Sequence, residues 1–269
     1  TTKGAGIYIS GGDAKILNCE ITSNTSSNSG AGLAISGVTS NIEVSNSLIW
    51  NNTSPYGSSI YLQLGDLLLL NTTIDGNTNL YGDGSIYLFN GGQLLVKNSI
   101  INNTVDQNGV LASTWINIEH WTYNPFVTIQ NSCVLNGENG ISVSGNGLGV
   151  NNRSYDNSNI NSDPMFLDPA NGDYRLSDYS PAIGSGTSIG APILDIEGNP
   201  RPNPVGSNPD MGAYENLKGA PVEITRYHVS TSGSSNNFGL SDSPMSSIQT
   251  AIDASSDGDT VLVSAGTYT

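Results

Sequence analysis

Ser59-Ile60-Tyr61-Leu62 is followed by Leu70-Asn71-Thr72-Thr73-Ile74 and then by Asn77-Thr78, and the same succession returns as Ser85-Ile86-Tyr87-Leu88, Val96-Lys97-Asn98-Ser99-Ile100 and Asn103-Thr104. The step is about 26 residues, a solenoid period. Outward from this pair, Gly6-Ile7-Tyr8-Ile9 and Gly32-Leu33-Ala34-Ile35 are earlier copies of the first element. Ile16-Leu17-Asn18-Cys19-Glu20-Ile21, Val44-Ser45-Asn46-Ser47-Leu48-Ile49 and Ile129-Gln130-Asn131-Ser132-Cys133-Val134 are further copies of the second. Five coils share one plan.

Within each copy the apolar residues alternate over four to six positions between Gly and Asn turns, which is the pattern of a half-buried strand. Two or three strands per period make a chain that returns over itself and buries one face of each strand in a stacked column. The fold expected is all-β, a parallel β-solenoid. Asn at matching places in successive coils can hydrogen-bond up and down the column through its amide. It also tolerates the left-handed turn, so a turn role alone would select it.

The residues resemble those of the right-handed parallel β-helix proteins of the pectate-lyase-like group, especially secreted forms. Asp163-Pro164-Met165-Phe166, Gly172-Asp173-Tyr174-Arg175-Leu176, Ser180-Pro181-Ala182-Ile183, Asp195-Ile196-Glu197-Gly198-Asn199-Pro200-Arg201 and Asp210-Met211-Gly212-Ala213-Tyr214-Glu215 are similar to that group's C-terminal coil. Tyr227-His228-Val229-Ser230, Ser247-Ile248-Gln249-Thr250-Ala251-Ile252 and Gly258-Asp259-Thr260-Val261-Leu262-Val263 look like its N-terminal cap and first coil. The resemblance implies stacked coils over 1–143, C-terminal coils and a terminating segment over 144–215, a linker at 216–226, and a cap helix with a first-coil-like segment over 227–269. Ile248, Ala251 and Ile252 follow helical spacing and are expected, with Val261 and Val263, to cover a coil end.

A start placed after an end has three sources: a rearranged chain that closes on itself, one period of a tandem array, or a subunit that donates its cap to a neighbour. Six or seven coils at about 4.8 Å give a column of roughly 30 Å, and the eleven residues of 216–226 span at most about 36 Å, so self-closure is taut. Donation carries no such strain, covers the open coil ends and propagates head to tail. The expected partner is therefore another copy of the chain.

The 269 residues hold 8 Lys and Arg against 23 Asp and Glu, a net charge of -15, with 12% charged residues and 32 Gly. So few basic residues speak against nucleic acid. No apolar run approaches the length of a membrane span. The composition and the resemblance place the chain outside the cell or on its surface. Cys19 and Cys133, four coils or about 19 Å apart, are too distant for a disulfide and are expected as free, buried thiols. Sequons at Asn24, Asn51, Asn52, Asn71, Asn102 and Asn152 read first as turn asparagines.

A polysaccharide lyase needs a base beside a uronate carboxylate, with calcium or Arg to neutralise it. The regular coils carry only Lys3, Lys15 and Lys97 and no Arg. A hydrolase needs paired carboxylates, whereas Glu20, Glu43, Asp66, Asp75 and Asp83 are scattered, with Lys15 and Glu43 falling near one column. No cofactor is expected. Calcium is the one candidate, at Asp163, Asp168, Asn171, Asp173 and Asp178, although this run also reads as a turn. Carbohydrate contact is expected at the long fifth coil, where Trp115, His120, Trp121 and Tyr123 interrupt the period; the competing reading is a plug in the solenoid wall. Two functions emerge: a structural or adhesive subunit stacking head to tail, or a polysaccharide-binding or polysaccharide-degrading enzyme.

Overall fold

The computed structural model describes residues 4–38, 40–82, 84–112, 114–120, 122–145, 152–235 and 237–268. Two compact units lie along the chain, Thr1–Pro221 and Val222–Thr269. The first is a parallel β-solenoid of about five turns. Its first sheet stacks Ile7–Ile9, Leu33–Ser36, Ile60–Gln63, Ile86–Phe89, Ile116–His120 and Ile141–Gly145 in chain order. The second stacks Ala14–Leu17, Asn41–Ser45, Asp66–Leu70, Gln93–Lys97, Phe126–Gln130 and Arg153–Tyr155. The third stacks Glu20–Thr22, Leu48–Trp50, Thr73–Asp75, Ile100–Ile101 and Cys133–Val134. A fourth, short sheet of Thr53–Ser54, Asn77–Asn79 and Thr104–Val105 adds a strand beyond the two or three expected per coil.

Register partners Ile7↔Leu33, Leu33↔Ile60, Ile60↔Ile86, Ile86↔Ile116 and Ile116↔Ile141 are 26, 27, 26, 30 and 25 residues apart, and in the second sheet Gln93↔Phe126 are 33 apart. The extra length expected in the fifth coil therefore lies partly before it, between the fourth and fifth strands of the first sheet, and partly between Ile116 and Phe126. Inside the column the alternation places Leu33, Ile60, Ile86 and Ile116 in one row, and Ile21, Ile49, Ile74, Ile101 and Val134 in another, all in a single core. These rows are what the period-2 pattern encodes.

Two columns of asparagine do different work. Asn18, Asn46, Asn71, Asn98 and Asn131 stand between the second and third sheets with φ of 53, 47, 46, 50 and 48°. That left-handed geometry is open to Asn at low cost and expensive for branched residues. Asn24, Asn52 and Asn77 form the amide ladder: Asn24 Nδ2 donates to Asn52 Oδ1 and Asn52 Nδ2 to Asn77 Oδ1, each at 3.0 Å. Beside them runs a hydroxyl ladder, in which Ser47 Oγ accepts from Cys19 N, Ser99 Oγ from Thr72 N and Ser132 Oγ from Ser99 N. Cys19 occupies a hydroxyl rung and is only partly buried, which corrects the expectation of two buried thiols; Cys133 is buried and both are free.

Residues 163–217 form a clasp along the corner between the second and third sheets. Three turn asparagines hold it: Asn46 Nδ2 donates to Leu194 O at 2.6 Å, Asn71 Nδ2 to Asp210 O at 3.1 Å and Asn98 Nδ2 to Thr187 O at 2.7 Å. Ala213 N also donates to Thr73 Oγ1 at 3.0 Å. Apolar contacts close the seam through Ile100, Cys133, Leu176, Ala182, Ile183 and Met211. Gly212, at φ 93°, approaches so closely that a Cβ there would sit 2.7 Å from Thr73 Oγ1. A side chain at this position would push the clasp off the column.

The second unit pairs Arg226–Ser234 with Thr260–Val263 in parallel across helix α1, Ile248–Ala254. Ser247 caps the helix by accepting from Thr250 N, a role serine favours at a helix start. Ala251 is buried, and Ile248 and Val261 pack with it on Tyr227, Val229 and Met245. Ile252 and Val263, expected in the same apolar contact, are 49% and 45% exposed. Ile252 lies one residue past the buried Ala251 and so is turned about 100° away from it.

Candidate functional site

On the outer face of the third sheet the register sets Thr22 beside Trp50 and Trp50 beside Asp75. Parallel stacking therefore brings together residues about a coil apart in sequence. Trp50 is fixed from below, its Nε1 donating to Glu20 Oε1 at 2.6 Å. From the clasp, Tyr174 packs on the indole at 5.6 Å between ring centroids and on Phe166 at 5.2 Å. A cleft of about 390 Å³ remains, walled by Trp50, Tyr174, Pro169 and Ala170, with Asp75 and Asn103 among its polar groups.

Asp75 is 3% exposed. Asn102, the Tyr174 phenol and the Asn103 N–H face its carboxyl, yet no group completes a hydrogen bond with Oδ1. Burial pushes its pKa up to about 7, with the charge of Asp163 adding and the three neighbours opposing. Tyr174 is likewise raised, by burial first and then by Asp75. The cleft thus holds a carboxyl that takes or gives a hydrogen bond near neutrality.

The other buried charges serve the clasp. Arg201 Nη1 lies 3.3 Å from Glu215 Oε2, both side chains wholly buried. Arg201 also donates to the carbonyls of Asp210, Gly212 and Ala213. Burial lowers Arg201 and raises Glu215, each opposed by the other's charge. Asp210 accepts from Gly184 N and Asn216 N and is pushed up to about 7 by burial and by Glu215. Asp195 accepts from the backbone of Glu197, Asn199 and Glu215. These bonds account for the residue types in 195–201 and 210–215 without invoking chemistry.

The expected carbohydrate residues do not come together as one exposed platform. Trp115 is 1% exposed and belongs to the main core, so its ring plugs the wall instead of facing a ligand. Tyr123 is 56% exposed beside a cavity of about 550 Å³ that also takes in Leu64, Gly91 and Asn124. The backbone of His120 ends a strand of the first sheet; its side chain and Trp121 lie outside the described residues. Among the acids offered for calcium, Asp163 Oδ1 accepts from Met165 N, Asp168 Oδ2 from Asn171 Nδ2, and Asp173 pairs with Arg175 at 2.6 Å. Among the described residues, no group of three or more His, Cys, Asp or Glu is gathered as for a metal. Lys15 and Glu43 do meet, at 2.6 Å.

Sequence reasoning missed Trp50 and Asp75 as a pair, although both follow an inward Ile, Ile49 and Ile74, in the aligned third-sheet copies. It also passed over Tyr61 and Tyr87, which occupy one outward column of the first sheet and stack at 5.9 Å. Tyr87 hydroxyl bonds Glu119, and Tyr61 is pushed up to about 12 by burial and then by Glu119.

No helix among the described residues is long and apolar enough to cross a membrane. A family model described as "Right handed beta helix region" matches residues 2–162. Compared with curated proteins and with solved structures, the chain finds no match.

Proposed function

Because the chain belongs to the right-handed β-helix family, we propose that it is an extracellular or cell-surface structural or adhesive solenoid that stacks head to tail on further copies of itself. The second unit carries this reading. After the clasped solenoid in chain order come a parallel strand pair and a helix, the parts with which another column would start. Among the described residues Thr260–Val263 pairs on one side only, and its Leu262 and Val263 are 40% and 45% exposed. A parallel strand added there would satisfy backbone groups and cover apolar surface in one step. The receiving surface would be the first coil, where Tyr8 and Leu17 are 49% and 45% exposed.

The enzymatic reading has weaker support. A lyase of the pectate-lyase-like kind needs a free base on the coils, and among the described residues Lys15 is bonded to Glu43 while Lys97 donates to Ile189 O at 2.6 Å. Arg153, which stands in a second-sheet strand against the expectation of no Arg on the coils, pairs with Glu138 at 3.0 Å; Lys3 lies outside the described residues. Electron microscopy with size-exclusion light scattering tests the assembly. Regular filaments from residues 1–269, abolished by deleting 222–269, are expected. A uniform monomer at high concentration, or filaments that survive the deletion, would overturn the proposal.

A further inference from the structure

Among the described residues, buried charged side chains are confined to one place. Asp75, Asp195, Arg201, Asp210 and Glu215 are each at most 8% exposed. All but Asp75 belong to the clasp, and the clasp covers Asp75 with Tyr174. Elsewhere the column buries aliphatic, aromatic, amide, hydroxyl and thiol groups, none of which changes charge between about pH 4 and 8. Proton binding inside the molecule is therefore gathered at the clasp.

Its hub holds more acid than base. The carboxyls of Asp195, Asp210 and Glu215 share one guanidinium, which meets Glu215 at 3.3 Å and directs its other terminal donors to the carbonyls of Asp210, Gly212 and Ala213. The charge of Glu215 acts on Asp210, and that of Asp195 on Glu215. The column adds no compensating charge, since it faces the hub with Asn71, Thr73 and Asn98. At the rim, Glu197 accepts from Asn199, and Asp178 is tied to the hub through Asn216 and offset by Lys218 at 3.8 Å. With every carboxyl ionised, three negative charges would be buried against one positive, in a chain of net charge -15. Burial and Glu215 push Asp210 up to about 7 from 3.8, so the closed clasp holds a proton that an opened one gives up. Fastening is complete below about pH 4 and is lost as pH rises through 7.

We propose that the clasp is a proton-held latch: fastened while its hub keeps a proton, it opens locally when that proton is lost and uncovers Cys133. The thiol is 1% exposed and packs with Leu176, Ile183 and Met211 of the clasp. No strand of the stacked sheets lies in 187–216, so this segment can lift without parting the coils. The latch concerns the clasp and not the joint between copies, and it stands or falls apart from stacking.

Thiol labelling of the 269-residue chain carrying Cys19→Ser tests this, serine being the side chain that other coils place on that rung. Burial pushes the Cys133 thiol up to about 12, so the closed form is unreactive and labelling reports opening. The rate with dithiodipyridine, divided at each pH by the rate for glutathione, should rise about a hundredfold from pH 5 to pH 8, as a carboxyl with these two limits requires. Hydrogen exchange, corrected for its intrinsic pH dependence, should quicken over 187–216 and stay unchanged in the first-sheet strands. Asp210→Asn should shrink the hundredfold rise to a few-fold, whatever it does to the baseline. A flat ratio in the parent chain would overturn the proposal, and that profile decides by itself if the variant does not fold. So would exchange that quickens equally in the first-sheet strands, or a folded Asp210→Asn chain that keeps the full rise.

Discussion

Asn71 shows how much one turn residue carries. It is fully buried at φ 46°, donates to Asp210 O and accepts from Asn98 Nδ2. Asn71→Ala should cost about 3 kcal/mol in urea unfolding, the sum of left-handed strain and an orphaned buried carbonyl. Asn71→Gly should cost about half, since glycine accepts the backbone and loses only the hydrogen bond. Asp75 makes a pH prediction. Its folded pKa of about 7 lies above its unfolded value of 3.8, so the folded state holds the extra proton between those limits. Stability from this group is complete below about pH 4 and is lost as pH rises through 7. Asp75→Asn should therefore lessen the loss of stability between pH 4 and 7, the remaining slope coming from Asp210, and raise the free energy of unfolding at pH 8 by an amount on the order of 4 kcal/mol. The asparagine turns were legible because their spacing repeats with the strands. Asp75 was not, because nothing in a lone Asp tells that a segment some ninety residues downstream will seal it.

The clasp is an element without regular secondary structure over most of its length, fastened by single bonds at many points. Its hub is the buried Arg201–Glu215 pair, so Arg201→Ala leaves a carboxylate without its partner and should cost about 3–5 kcal/mol. Hydrogen exchange should quicken over 187–216, while the first-sheet strands, whose bonds run between coils, keep their protection. The strands were readable from alternation and the coil period from their spacing. The helix was readable from the helical spacing of Ile248, Ala251 and Ile252, while its Ser247 cap was passed over. The fourth sheet was not, since two- and three-residue strands of Thr, Ser and Asn carry no apolar alternation. Nor was the fate of the Trp115 ring, because an aromatic in an irregular coil reads alike as plug and as platform until its neighbours are placed.

As a whole molecule the chain joins a large solenoid to a small second unit whose core rests on Tyr227, Val229, Met245 and Ala251. Deleting 222–269 should leave the melting of the solenoid within a few degrees of the full chain in scanning calorimetry, since its core lies within 1–221. Residues 222–269 alone should melt broadly or not at all, because so short a segment buries too little apolar surface. The asparagine grips have a further outcome. Leu194, Asp210 and Thr187 reach Asn46, Asn71 and Asn98, so the clasp touches three successive coils with covalent lengths fixed between its contacts. It is a gauge. A coil duplicated at 60–85 would carry one rung about 4.8 Å out of reach and should lower the melting temperature, whereas a coil added ahead of Ile7 would leave the three grips and the Cys133 seam unchanged. Growth of such a column is confined to its tip and barred at its waist.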